Sequence, residues 1–131
     1  MPEVRLSLTV LKESFGVCHF HPDALSPVWA EQSSFLTITR TAEELSVVCD
    51  QSLIPEGTDC ECDWMCLKVA GPLGFTQVGI LSSLLMPLAK ANISIFAIST
   101  YNTDYLLVKG KDLEAAVSVL ASEGHWISRL Q

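Results

Sequence analysis

Short apolar segments separated by polar, glycine or proline punctuation run along most of this chain. Arg5–Leu11, Phe35–Thr39, Leu45–Cys49, Trp64–Ala70, Ile93–Thr100, Tyr105–Lys109 and His125–Leu130 each read as a strand. Two stretches carry helical spacing instead. Val78, Leu81, Leu85 and Leu88 predict a helix over Phe75–Ala91, with Asn92 suited to the left-handed position just past its end. Pro87 lies inside that helix and should bend it. Leu113, Val117 and Leu120 predict a second helix over Asp112–Glu123, stopped by Gly124. Between Phe15 and Ala30 the prolines Pro22 and Pro27 break the pattern, and Ser26-Pro27 marks the start of a short helix around Val28. Asp50–Asp63 holds Pro55, Gly57 and five acidic residues without helical period, and reads as a loop.

The order in the second half is strand-helix-strand-strand-helix-strand, the split βαβ or ferredoxin-like arrangement. Right-handed crossovers would put both helices on one sheet face. The first half repeats the scheme in worn form. Ile38–Val48 returns as Ile98–Val108, sixty positions later, each copy being strand, polar turn with a carboxylate, and strand. The expected fold is α+β, with two ferredoxin-like βαββαβ units over residues 1–62 and 63–131, the first lacking its second helix.

Composition narrows the function classes. Of 131 residues 49% are hydrophobic and 18% charged, which is ample for a core and too apolar for disorder. A net charge of -7 argues against nucleic acid or an anionic membrane as partner. The Val78–Ile98 stretch is broken by Ser82, Ser83, Pro87, Lys90 and Asn92, so no transmembrane helix is expected, and Met1–Arg5 lacks the character of a signal peptide. Five cysteines cannot all pair within one chain, which reads as a cytoplasmic protein with reduced thiols.

Two turns could carry chemistry. At Gly71-Pro72-Leu73-Gly74-Phe75 a strand gives way to a helix, and glycines with exposed helix-start amides can hold a carboxylate. At Thr100–Asp104 a hydroxyl and an acid stand at the end of the next strand, where Asp104 could hold an ammonium. In a split βαβ both turns fall near one edge, as a zwitterionic amino acid would require. Taken singly, each turn reads better as plain structure.

These residues are similar to ACT domains, the amino-acid-sensing modules of regulated enzymes. Gly71–Phe75 with Ile98–Val108 resembles the CASTOR group of paired ACT domains and its small bacterial relatives, and Phe35–Thr41 with Glu43–Val48 resembles their first unit. The resemblance implies a pocket between units for a free amino acid, touched by Gly74, Gln77, Val78 and Gly79 at the helix start and by Thr100, Tyr101 and Asp104 at the strand end. It also implies a homodimer and a regulated protein partner, with no cofactor and no catalysis. The helix-start acid of the arginine sensors corresponds here to Gln77, a neutral amide that can bond a guanidinium without neutralising it. An ACT-fold interaction protein with no metabolite ligand is the alternative.

Other signals point elsewhere with less support. Cys60-x-Cys62-x-x-x-Cys66 is spaced too tightly for a zinc knuckle and has no second ligand pair. His19 and His21 read as solvated loop histidines. Cys18 beside them would make a thiol enzyme only with a depressed pKa. Trp29, Trp64 and Trp126 read as core or interface residues, since no basic cluster accompanies them.

Overall fold

The computed structural model describes residues 5–71 and 78–130. The fold is α+β. Contacts group the chain into two compact units: Glu13–Trp64, and Met65–Gln131 together with the chain up to Lys12. The repeat in the sequence instead suggests a division after Cys62. The difference lies in β1 (Ser7–Phe20) and β4 (Cys60–Val69), each of which gives one half to each unit.

The larger unit holds the later part of β4, α1 (Ile80–Lys90), β5 (Phe96–Ser99), β6 (Asp104–Lys109), α2 (Leu113–Ser122) and β7 (Trp126–Arg129), in ferredoxin-like order. Its strand order is β7-β1-β4-β6-β5. The first and last strands of a plain split βαβ are neighbours. Here β1 lies between them, parallel to β7 with Leu8 opposite Ile127. Burial follows the pleat: Leu6, Leu8 and Val10, Leu67 and Val69, and Leu106 and Val108 alternate onto one face. They pack against Leu84 and Leu88 of α1 and Leu113, Ala116 and Leu120 of α2. Both helices therefore cover the same side of the sheet, as the crossover rule requires.

Both helices end as the sequence predicts. Asn92 takes φ 62 after α1, and Gly124 takes φ 97 after α2. Ile93 N–H donates to the Leu88 carbonyl at 3.0 Å, and His125 N–H to that of Leu120 at 3.2 Å, closing a Schellman cap at each end. Pro87 is held inside α1.

The smaller unit runs β1, a 3-10 turn at Val28–Gln32, β2 (Thr37–Arg40), β3 (Leu45–Asp50), a 3-10 turn at Gln51–Leu53, and β4. Its strand order, β2-β3-β1-β4, is that of a split βαβ, with each helix reduced to a single 3-10 turn. The core is small: Cys18, Ala30, Leu45, Val47 and Cys49 are buried, with Phe20, Trp29 and Ile54 packed around them. The acidic segment is not a loop throughout. Asp50 belongs to β3, and β4 already begins at Cys60. Cys60 and Cys62 turn inward while Glu61 and Asp63 face solvent, the two-residue period of a half-buried strand. Likewise β1 continues through Phe20, beyond the strand the sequence predicts. Trp126, expected in a core or interface, is 61% exposed within the chain.

The repeat holds as geometry, one residue out of register from the sequence match. Thr41 N–H donates to the Glu44 carbonyl, and Thr100 N–H to that of Thr103, each at 2.9 Å. The Thr41 hydroxyl accepts from Glu44 N–H and the Thr100 hydroxyl from Thr103 N–H. Thr41 and Thr100 are thus equivalent, and Asp104 matches Leu45 rather than Glu44.

Candidate functional site

The turn between β5 and β6 is tied down by its own threonines. Thr100 Oγ1 donates to the Thr103 carbonyl at 3.0 Å, which consumes the hydroxyl the sequence offers to a ligand. Thr103, only 4% exposed, donates from Oγ1 to the Val69 carbonyl at 2.6 Å. This bond fixes the turn against the end of β4, where the chain leaves the sheet through Ala70 and Gly71. The β5–β6 turn therefore lies beside Gly71, where the first of the two turns singled out by sequence begins; residues 72–77 of that turn lie outside the described residues.

A cavity of about 270 Å³ opens there, lined by Lys68, Gly71, Thr100, Asn102, Thr103 and Tyr105. It falls below the range of about 300–1,000 Å³ usual for drug-sized ligands and suits one small molecule. Among the described residues, Lys68 is the single charged one of the lining.

The other predicted site residues are distributed as follows. Gly74 and Gln77 lie outside the described residues. Val78 is 89% exposed, and Gly79 caps α1 at φ 83. Tyr101 projects at 81% exposure and does not line the cavity. Asp104, half-buried, opens β6 opposite Ser99. Because strand residues alternate, Asp104 shares the face of Leu106 and Val108, the side on which the helices pack, while Tyr105 faces the cavity.

Sequence reasoning missed Lys68, Asn102, Thr103 and Tyr105. Lys68 had a signal, as a lone charge inside the apolar run Trp64–Ala70. The staple made by Thr103 had none, because a buried threonine inside a turn looks like any turn residue.

A larger groove of about 650 Å³ lies between α1 and α2, bordered by Gly79, Ser83, Met86, Lys90, Glu123 and His125. Among the described residues it includes Gly79 at the start of α1 and none of the β5–β6 turn. In the smaller unit, burial and then the neighbouring Cys49, Cys60 and Cys62 push the Cys18 thiol up from 9.0 to about 12. A nucleophilic Cys18 needs the opposite shift, so the thiol-enzyme reading falls. Among the described residues no cluster of three or more His, Cys, Asp or Glu is arranged to hold a metal ion.

The ACT domain family model matches residues 59–122. The chain is a member of the ACT-domain family. A second family model, described as an N-terminal domain, matches residues 13–57 of this ACT-domain protein, close to the smaller unit. The human putative protein CASTOR3P is 32% identical over 104 residues, covering 68% of this chain and 63% of the relative. The bovine cytosolic arginine sensor for mTORC1 subunit 1 is 30% identical over 100 residues, covering 68% of this chain and 30% of the sensor. The chain thus spans less than two thirds of either relative. A crystal structure of a protein from Agrobacterium tumefaciens superposes with TM-score 0.92 at 37% identity, covering 98% of this chain and 96% of that one. The regulatory subunit of aspartate kinase from Thermus thermophilus shares the fold, with TM-score 0.61 at 10% identity over 86% of this chain and 93% of that one.

Proposed function

We propose that this ACT-domain chain is a non-catalytic regulatory protein that binds a free α-amino acid where β4 leaves the sheet beside the β5–β6 turn. The observation that supports the reading is the Thr103–Val69 bond, which holds the β5–β6 turn to the end of β4 beside a small cavity that reaches Gly71. Amides following Gly74 take the ligand's carboxylate and Asp104 takes its ammonium on the helix side of the strand end, so that only the ligand's side chain turns towards the cavity that Tyr105 faces. Gln77, Val78, Gly79, Thr100 and Tyr101 complete the surroundings, with the paired units forming a tandem ACT arrangement. The bovine relative's name supports sensing in the cytosol on behalf of a protein partner; a homodimer is part of the same proposal.

Arginine does not follow from the bovine sensor. Gln77 leaves a guanidinium unneutralised, and Lys68 at the cavity opposes a cationic side chain. A neutral or acidic amino acid fits better. An interaction protein without a ligand would fill the cavity with a side chain such as Tyr101, which instead projects to solvent.

A thermal-shift screen across the standard amino acids tests the reading. A ligand present at about a hundred times its dissociation constant adds about 2.7 kcal/mol, several degrees in a chain this size. No stabilisation by any amino acid would return the weight to the interaction-protein reading.

A further inference from the structure

The five cysteines are not equivalent. Cys18, Cys49 and Cys66 are buried. Cys60 and Cys62 are partly exposed, lie on the same face of β4, and bring their sulfurs to 2.9 Å. Residues two apart on an extended strand have Cα atoms about 6.6 Å apart, at the upper edge of the span of about 4.4–6.8 Å that a disulfide bridges, so closure bends β4 locally to draw the two Cβ atoms together. Glycine at position 16 helps make the room. A Cβ built there would collide with Ile54 Cδ1 and stand 3.4 Å from Cys62 Sγ. Cys60 borders a cavity of about 210 Å³ together with Cys18, His19, Glu44, Asp59 and Glu61, but its side chain turns inward with that of Cys62, so a small reagent reaches the pair through its partial exposure.

We propose that Cys60 and Cys62 form a reversible dithiol–disulfide site, closed by a small uncharged hydroperoxide. The site is independent of the amino-acid cavity. Three carboxylates around Cys60 repel anionic disulfides such as oxidised glutathione, so a neutral oxidant is the one that reaches the sulfur. In the first step the Cys60 thiolate attacks one peroxide oxygen; an S–O bond forms, the O–O bond breaks, and the other oxygen leaves as water or alcohol. Cys62 then attacks the sulfenic sulfur of Cys60. The S–S bond forms, the S–O bond breaks, and hydroxide departs with the Cys62 proton as water. Two thiols have lost two hydrogens and two electrons, and the peroxide has been reduced.

The thiolate is the attacking form, so the reaction is best followed at mildly alkaline pH. Burial raises the thiols of both Cys18 and Cys49, which leaves the β4 pair as the reactive one. The test is mass spectrometry of the full chain treated with hydrogen peroxide and then alkylated after denaturation. The expected product has lost the mass of two hydrogens, carries the bridge in the peptide containing Cys60 and Cys62, and reverts with a dithiol reductant. Cys62→Ser removes the second step, so Cys60 becomes trappable as a sulfenic acid by a 1,3-dione, whereas the unmutated chain does not. Three results would overturn the proposal: equal trapping in both proteins, a bridge mapped to Cys18 and Cys49, or no change in the native chain under conditions that oxidise both thiols of the denatured one.

Discussion

The imidazole of His125 stands with Nε2 3.4 Å from the main-chain oxygen of Ser83, the carbonyl that Pro87 leaves without an N–H partner inside α1. Its other nitrogen, Nδ1, accepts from Leu6 N–H at 3.1 Å, which fixes the tautomer with the proton on Nε2. One buried side chain thus supplies a long, weak donor to the helix and a good acceptor to the start of the chain. Pro87 is tolerated within α1 partly for this reason.

Removing each partner separates the two roles. His125→Leu leaves Leu6 N–H buried without an acceptor and should cost about 1–3 kcal/mol. Pro87→Ala returns an intrahelical donor to Ser83. In that background His125→Asn, which keeps an oxygen near the Nδ1 position, should cost less than it does beside Pro87. The coupling expected from urea melts of the four proteins is about 0.5–1 kcal/mol. Zero coupling would mean that His125 does nothing for the broken helix.

Thr103→Val keeps the shape of the side chain but removes the hydroxyl that holds the β5–β6 turn to Val69. The orphaned buried carbonyl should cost about 1–3 kcal/mol in a denaturant titration. Amino-acid affinity should fall as well, because the β5–β6 turn is no longer fixed against the end of β4. A destabilised variant with full affinity would detach this bond from the site.

How much of this was legible in the sequence depends on the element. The larger unit was, because Leu81, Leu85 and Leu88 keep a helical period, Leu106 and Val108 alternate, and Asn92 and Gly124 mark the stops, although Val78 falls outside the helix and it is Leu84 that is buried beside Leu88. The smaller unit was less so. Its helices shrink to 3-10 turns too short for any period, and the acidic residues that suggested a loop are the outward face of a strand. The alternation Cys60-Glu61-Cys62-Asp63 was present but masked by Pro55 and Gly57 just before it. The repeat was found one residue out of register, since short apolar runs tolerate such a slip and only the hydrogen bonds of Thr41 and Thr100 decide it. At the site, alternation along β6 separates Asp104 from Tyr105, which residue type alone does not reveal.

Alkaline stability should report the buried thiol. The folded pKa of Cys18 is raised from 9.0 to about 12. The protonated form is thus favoured by folding, so its stabilisation is complete below pH 9 and is lost as pH rises from there towards 12. The ceiling is about 4 kcal/mol. Melting temperature of the reduced protein should therefore fall through that window, and Cys18→Ala should flatten the fall whatever its effect at neutral pH. Parallel curves for the two proteins would contradict the assignment.

The proposed homodimer has a candidate surface. Within the larger unit β7 ends the strand order, and Trp126 upon it is 61% exposed. An open strand edge bearing a large aromatic invites a second copy. Light scattering at tens of micromolar should give the mass of two chains. Trp126→Lys should weaken association by at least about tenfold, roughly 1.4 kcal/mol. A monomeric parent protein would remove the dimer from the account.

Calorimetry on Asp104→Ala tests the central claim most directly, using the amino acid that stabilises the unmutated chain best. Loss of the carboxylate that holds the ligand's ammonium should cost about 2–5 kcal/mol, on the order of a hundredfold or more in affinity. Gln77→Glu, measured beside it, should retain binding and shift preference towards basic side chains, separating recognition of the ligand's backbone from that of its side chain. Unchanged affinity in Asp104→Ala would contradict the account, for the ammonium would then be held elsewhere.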